Sequence, residues 1–172
     1  DWSSDVCSSD LYQKEELAAF CHFGPNTFNE IEWGEHYGDK KPSEIFTLKQ
    51  DFDAETLVKT LKDAGFKKLI VTAKHHDGFC IWDSEHTEYD VAASGYKDAN
   101  GQSDILAEIS KACTDQNMDM GLYLSPWDIH DESYGYYDEN HKPTDKEHDH
   151  LDYNEYYDNQ LKEILGNEKY GN

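Results

Sequence analysis

Leu69-Ile70-Val71-Thr72-Ala73-Lys74-His75-His76-Asp77-Gly78-Phe79 opens as a nearly all-apolar, partly β-branched run and closes on a dense polar cluster. Its first five residues read as a strand covered on both faces, because a strand with one wet face would alternate. Just upstream, Leu57, Val58, Leu61 and Ala64 share one helical face, with Asp53 placed to cap the start and Gly65 to stop the end. A helix leading into a doubly covered strand is one step of a parallel α/β sheet.

The same step recurs on either side. Leu17-Ala18-Ala19-Phe20-Cys21-His22-Phe23 is an apolar run halted by Gly24-Pro25 and reads as a buried strand. Downstream, Ser103 or Asp104 can cap a helix whose face is Ile105, Leu106, Ile109 and Ala112, and Met120-Gly121-Leu122-Tyr123-Leu124 is the third strand. A last helix is expected to carry Tyr153, Tyr157, Leu161, Ile164 and Leu165 on one side and to end at Gly166. The order β-α-β-α-β-α implies parallel strands with right-handed helical crossovers.

Strands starting near positions 19, 69 and 121 give roughly 50 residues per unit, against about 30 for a minimal βαβ motif. The extra length lies after the strands, in segments 26–51, 75–101 and 126–152, which are rich in Trp, Tyr, His, Asp and Glu. Loops leaving the C-terminal ends of parallel strands build the sites of α/β folds. An eight-unit barrel needs at least about 200 residues. The fold class expected for these 172 residues is therefore α/β, the first three βα units of a truncated (β/α)8, TIM-like barrel. Residues 12–172 form its N-terminal part. Residues 1–11, where Ser3-Ser4-Asp5 recurs as Ser8-Ser9-Asp10, read as a disordered or non-native tail.

Composition narrows the partners. The chain holds 37 acidic and 15 basic residues, a net charge of −22, and every basic residue is Lys. Without the bidentate guanidinium fork, and with that negative field, nucleic acid and anionic membrane are poor partners while neutral substrates stay open. No run of about 18 apolar residues is present, nor a basic segment followed by an apolar one, so neither a membrane span nor a signal peptide is visible in this chain. Cys7, Cys21, Cys80 and Cys113 show no zinc-like spacing and read as isolated thiols. Serine-nucleophile, phosphate-loop and dinucleotide motifs are missing too.

Three clusters sit at the strand exits. His22 is followed by Glu32-Trp33; Lys74-His75-His76-Asp77 is followed by Trp82; Tyr123 is followed by Ser125, Trp127 and Asp128. Imidazoles, a carboxylate and flat aromatic faces suit a sugar, whose hydroxyls need donors and acceptors and whose C–H faces need platforms. Each residue alone also has a structural reading: a strand-end His commonly just satisfies its neighbours, and a loop Trp commonly just packs. If the strand continues, His75 and His76 point opposite ways, one toward the site and one into the structure. Metal binding, as in a metal-dependent hydrolase, is a competing use of the nine His, among them His148-Asp149-His150, although that triplet lies in a stretch with 11 acids and 2 Lys from Asp128 to Asp158. No metal or other cofactor is assigned. A non-catalytic carbohydrate-binding module or pseudoenzyme is the further alternative.

The strings His22-Phe23-Gly24-Pro25-Asn26-Thr27-Phe28, Glu32-Trp33-Gly34, Ala64-Gly65-Phe66-Lys67, Thr72-Ala73-Lys74-His75-His76-Asp77-Gly78-Phe79 and Gly121-Leu122-Tyr123-Leu124-Ser125-Pro126-Trp127-Asp128 together closely resemble the α-L-fucosidases of glycoside hydrolase family 29. The likeness runs from about Tyr12 to Leu165, and the third strand's string, with Asn154 to Leu161, looks more like the bacterial branch acting on α-1,3/1,4-linked fucose. It implies a retaining exo-glycosidase releasing terminal fucose from a fucosylated oligosaccharide or glycoconjugate. It also implies an Asp nucleophile and a second acid, both expected after residue 172, so that this stretch alone is inactive and carries no catalytic residue. The family's sugar-holding positions fall on His22, Glu32, Trp33, His75, His76 and Tyr123. Compartment follows only by family analogy, as secreted, periplasmic or lysosomal.

Overall fold

A computed structural model describes residues 13, 15–33, 40–48, 52–134 and 151–170. Residues 1–11, read as a disordered or non-native tail, lie outside these. Three strands, β1 (Ala18–Cys21), β2 (Lys68–Lys74) and β3 (Asp119–Leu124), form one sheet in the order β1-β2-β3. Both pairings are parallel, with Phe20 opposite Ile70, and Ile70 opposite Gly121.

Two short helices that the sequence reading did not foresee, α1 (Pro25–Asn29) and α2 (Pro42–Ile45), each with Pro in the first turn, fold part of the long first loop. Both are too short for apolar periodicity to reveal them. The longer helices begin and end for the reasons the sequence supplies. Helix α3 (Ala54–Asp63) is capped by the Asp53 side chain, which accepts the Thr56 amide at 2.8 Å. Beyond its end, Gly65 adopts a φ of +95°, the left-handed turn that a Cβ disfavours. Helix α4 (Ile105–Asp115) is capped by Asp104, accepting the Ala107 amide at 2.8 Å.

Leu69, Val71 and Ala73 of β2 are fully buried with Val58 of α3 and Ile105, Leu106 and Ile109 of α4. The second loop adds its own core, since Phe79, Cys80, Ile81 and Trp82 are buried as well. Helix α5 (Leu151–Leu165) keeps the expected face at Tyr153 and Ile164, with Tyr157 and Leu161 half-buried, and departs from it at Leu165. Tyr153, Gln160 and Ile164, spaced by seven and four residues, turn inward, and Leu165, one residue further round, is 70% exposed. On the sheet, Phe20 is 58% exposed, and the described residues leave β1 and β3 as open edges rather than a closed barrel. No helix among the described residues is long and apolar enough to cross a membrane.

Candidate functional site

Five of the six residues assigned from the sequence meet at the C-terminal end of the sheet. His22, just past β1, sets its Nδ1 3.0 Å from Thr72 Oγ1 on β2. Its ring stands edge-on to His75 at 4.5 Å, and His75 lies 4.1 Å from His76 and 6.3 Å from Tyr123 of β3, centroid to centroid. His76 lies 4.7 Å from Trp127, and Trp33 closes the row against both, 6.0 Å from His76 and 5.5 Å from Trp127. The sixth, Glu32, is exposed next to Trp33, and its carbonyl accepts a hydrogen bond from Asn26 Nδ2 at 3.1 Å. Of the remaining tryptophans, Trp82 is fully buried and donates its Nε1–H to Glu163 at 2.9 Å, which makes it a core residue.

His75 and His76 do not point opposite ways. The pairing shifts by one residue between Thr72 and Lys74, where Thr72 is opposite Tyr123 but Lys74 is already opposite Leu124. Such a bulge re-aims side chains next to it. Thr72 faces His22, whereas Lys74 reaches α5, where its Nζ meets Gln160 Oε1 at 2.8 Å. The strand ends there, and both following imidazoles join the same cluster.

One ring nitrogen can be assigned from hydrogen counting. The Ser125 hydroxyl donates its only hydrogen to the Trp127 carbonyl at 2.7 Å and accepts the Trp127 amide at 3.1 Å. His76 Nδ1, 2.8 Å from the same oxygen, therefore donates to it. That leaves the other ring nitrogen, Nε2, as an acceptor.

The cluster is held uncharged. Burial lowers the pKa of all three imidazoles, and His75, flanked by His76 and His22, is brought down to about 4. His75 Nδ1 is buried and has no hydrogen-bond partner among the described residues. It borders a small hollow that His22, Asn26, Thr72 and Asp77 also line.

Two buried carboxylates of the strand exits, Asp77 and Asp128, are engaged inside the protein. Asp77 accepts the Phe79 amide at 2.9 Å and Asn26 Nδ2 at 3.1 Å. Its burial pushes its pKa up to about 7, with Asp128 adding to the rise. Asp128 pairs with Lys74 at 3.0 Å, both side chains being at most 1% exposed. Both carboxylates thus have partners within the protein. Sequence reasoning grouped Lys74 and Asp128 with the polar exits but missed their pairing, and it missed Thr72, whose hydroxyl in an apolar strand was the available signal.

Among the described residues no three His, Cys, Asp or Glu side chains are arranged to hold a metal ion. His148-Asp149-His150 lies outside them. Cys21, Cys80 and Cys113 are free thiols. Uncharged imidazoles, a phenol and paired indoles at the exits of a parallel sheet can hydrogen-bond and stack an uncharged polyol.

The α-L-fucosidase family model matches residues 2–172, and the chain belongs to that family, the glycoside hydrolase family 29 fucosidases. A Ruminococcus gnavus fucosidase of family 29, solved in complex with fucose, is 85% identical with a TM-score of 0.85, covering 94% of this chain and 32% of that one. Alpha-L-fucosidase 1 of Arabidopsis thaliana is 44% identical over 160 residues, 93% of this chain and 28% of that protein. Alpha-L-fucosidase isoenzyme 1 of Paenibacillus thiaminolyticus is 27% identical with a TM-score of 0.68, covering 87% and 37%. The chain thus spans about a third of the length of these relatives.

Proposed function

We propose that this chain is part of a retaining exo-α-L-fucosidase and forms the half of its site that grips the fucose ring. The observation that carries this reading is the single cluster of His22, His75, His76 and Tyr123 with Trp33 and Trp127 beside it. His76 Nε2 accepts a ring hydroxyl, the other imidazoles and Tyr123 share the remaining hydroxyls, and the indoles cover an apolar face or the C6 methyl group. Glu32, at the rim, supplies the one exposed carboxylate of the set. Hydrogen bonds of this kind tighten as the anomeric carbon becomes oxocarbenium-like and lower the barrier by several kcal/mol. The substrate is a fucosylated glycan, matching the fucose held by the R. gnavus relative.

A retaining mechanism needs a carboxylate nucleophile and a second carboxyl group about 5–5.5 Å away. The family resemblance implies that both reacting groups lie on later units of a (β/α)8 barrel, and the internal contacts that occupy Asp77 and Asp128 support that reading. The test uses the full-length protein carrying this sequence and a chromogenic α-L-fucoside. Turnover should release α-L-fucose as first product, and His75→Ala should lower kcat/KM about a hundredfold, in line with losing a positioned group. The 172-residue stretch alone should give no turnover. An inactive full-length protein that still binds fucose would mark a carbohydrate-binding module instead.

A further inference from the structure

The geometry points to Lys74 and Asp128 as a buried positioning pair that locks the loop leaving β2 onto the loop leaving β3, and so sets the mutual orientation of the His76 ring and the Trp127 indole. Its functional meaning rests on the fucose half-site proposed above, in which those two rings form one wall.

The placement is specific. Lys74 Nζ lies 3.0 Å from Asp128 Oδ2 and 2.8 Å from Gln160 Oε1, under the rings of Tyr153, Tyr156 and Tyr157 at 5.1–5.5 Å. The second Asp128 oxygen, Oδ1, accepts the amides of His130 at 3.0 Å and Asp131 at 2.9 Å. In sequence, Lys74 stands two residues before His76, and Asp128 directly follows Trp127. Backbone bonds stitch the same two loops, from the Ser125 amide to the Lys74 carbonyl at 3.0 Å and from the Ile129 amide to the His76 carbonyl at 2.8 Å. A Cβ on Gly78 would collide with Asp128 Oδ1, so only glycine lets the carboxylate in this close. A buried ion pair holds little stability advantage over apolar side chains of equal volume. What it does supply is a directional tie, and this one ends next to both rings.

The test compares the full-length protein with its Lys74→Met/Asp128→Asn variant. The introduced asparagine retains an oxygen for the His130 and Asp131 amides, and the introduced methionine leaves no unpaired charge; the bond from Lys74 to Gln160 is lost with the ion pair, and Gln160→Met reads that loss separately. The deciding readout is the crystal structure: the centroid spacing of His76 and Trp127 should depart from 4.7 Å by more than 1 Å or become disordered. An unchanged spacing overturns the proposal. If the double variant does not fold, Asp128→Glu, which keeps the charge and lengthens the arm, is read the same way. In a fucose-binding protein the dissociation constant for L-fucose should also rise at least tenfold, while Gln160→Met, which removes the Lys74 acceptor together with helix-side bonds to Tyr156 and Cys80 but keeps the ion pair, should leave both ring spacing and affinity unchanged. A parent protein that binds no fucose refutes the proposed function, and the ring spacing still judges the pair.

Discussion

Ser125 and His76 share a 2.8 Å hydrogen bond in which the serine, its hydrogen already given to the Trp127 carbonyl, acts as acceptor. A residue of β3's exit thereby fixes the tautomer of a residue of β2's exit. Ser125→Ala removes the fixed point. The neutral bond is worth about 1 kcal/mol, so kcat/KM of the full-length protein should fall roughly fivefold to tenfold. Nitrogen-15 NMR should show Nδ1-protonated His76 in the parent and mixed tautomers in the variant. Mixed tautomers in the parent would refute the assignment.

Gly78 and Gly101 both have left-handed φ values, +79° and +81°, but only Gly78 has neighbours where a Cβ would go. Alanine at Gly101 should cost about 1–2 kcal/mol for the backbone conformation alone. Alanine at Gly78 should cost about 1–3 kcal/mol more, from crowding against Asp128 and His130. Chemical denaturation of the two variants reads the difference directly, and equal losses would contradict the close approach.

Asp77 and His75 act on pH stability with opposite signs. Asp77 has a folded pKa of about 7 against 3.8, so its protonated form favours the fold below pH 3.8 and that contribution is lost as pH rises through 7. His75, at about 4 against 6.5, contributes above pH 6.5 and loses it as pH falls toward 4. Their slopes offset between pH 4 and 6.5. Asp77→Asn should unmask a steeper rise of unfolding free energy with pH across that window, changing the slope by up to about 1.4 kcal/mol per pH unit. An unaltered slope would place Asp77 in the ordinary carboxylate range.

Asp104 does more than cap α4. Its carboxylate also accepts the Tyr170 hydroxyl at 2.8 Å and pairs with Lys169 at 2.6 Å, tying the 3-10 turn Glu168–Tyr170 to the helix start. Asp104→Ala should cost about 2–4 kcal/mol, combining a lost cap with a stranded buried hydroxyl. Tyr170→Phe should cost only about 1 kcal/mol. Similar losses in the two variants would mean that the cap contributes little.

Much of this was legible beforehand. The strands, the caps at Asp53 and Asp104 and the stop at Gly65 follow from local chemistry, and local chemistry survives into the fold. The gathering of His22, His75, His76 and Tyr123 followed from one rule, that parallel strands bring their exits to one edge. What escaped depends on registry and on contacts between distant segments. Alternation would have separated His75 from His76 only in a continuing strand, and β2 ends at Lys74; it misjudges Lys74 against Thr72 because a bulge is a property of two strands, and neither strand alone encodes it visibly. Lys74 looked like part of a polar exit because its partners, Asp128 and Gln160, lie 54 and 86 residues away. Leu165 looked interior until the buried Gln160 set the rotation of α5.

The extra residue at the end of β2 works as a phase shift. Were Ala73 paired opposite Leu124 in a regular ladder, Lys74 would share the face of Thr72 and its ammonium would enter the aromatic hollow. One unpaired residue thus keeps a charged amine and a sugar-facing hollow in separate compartments.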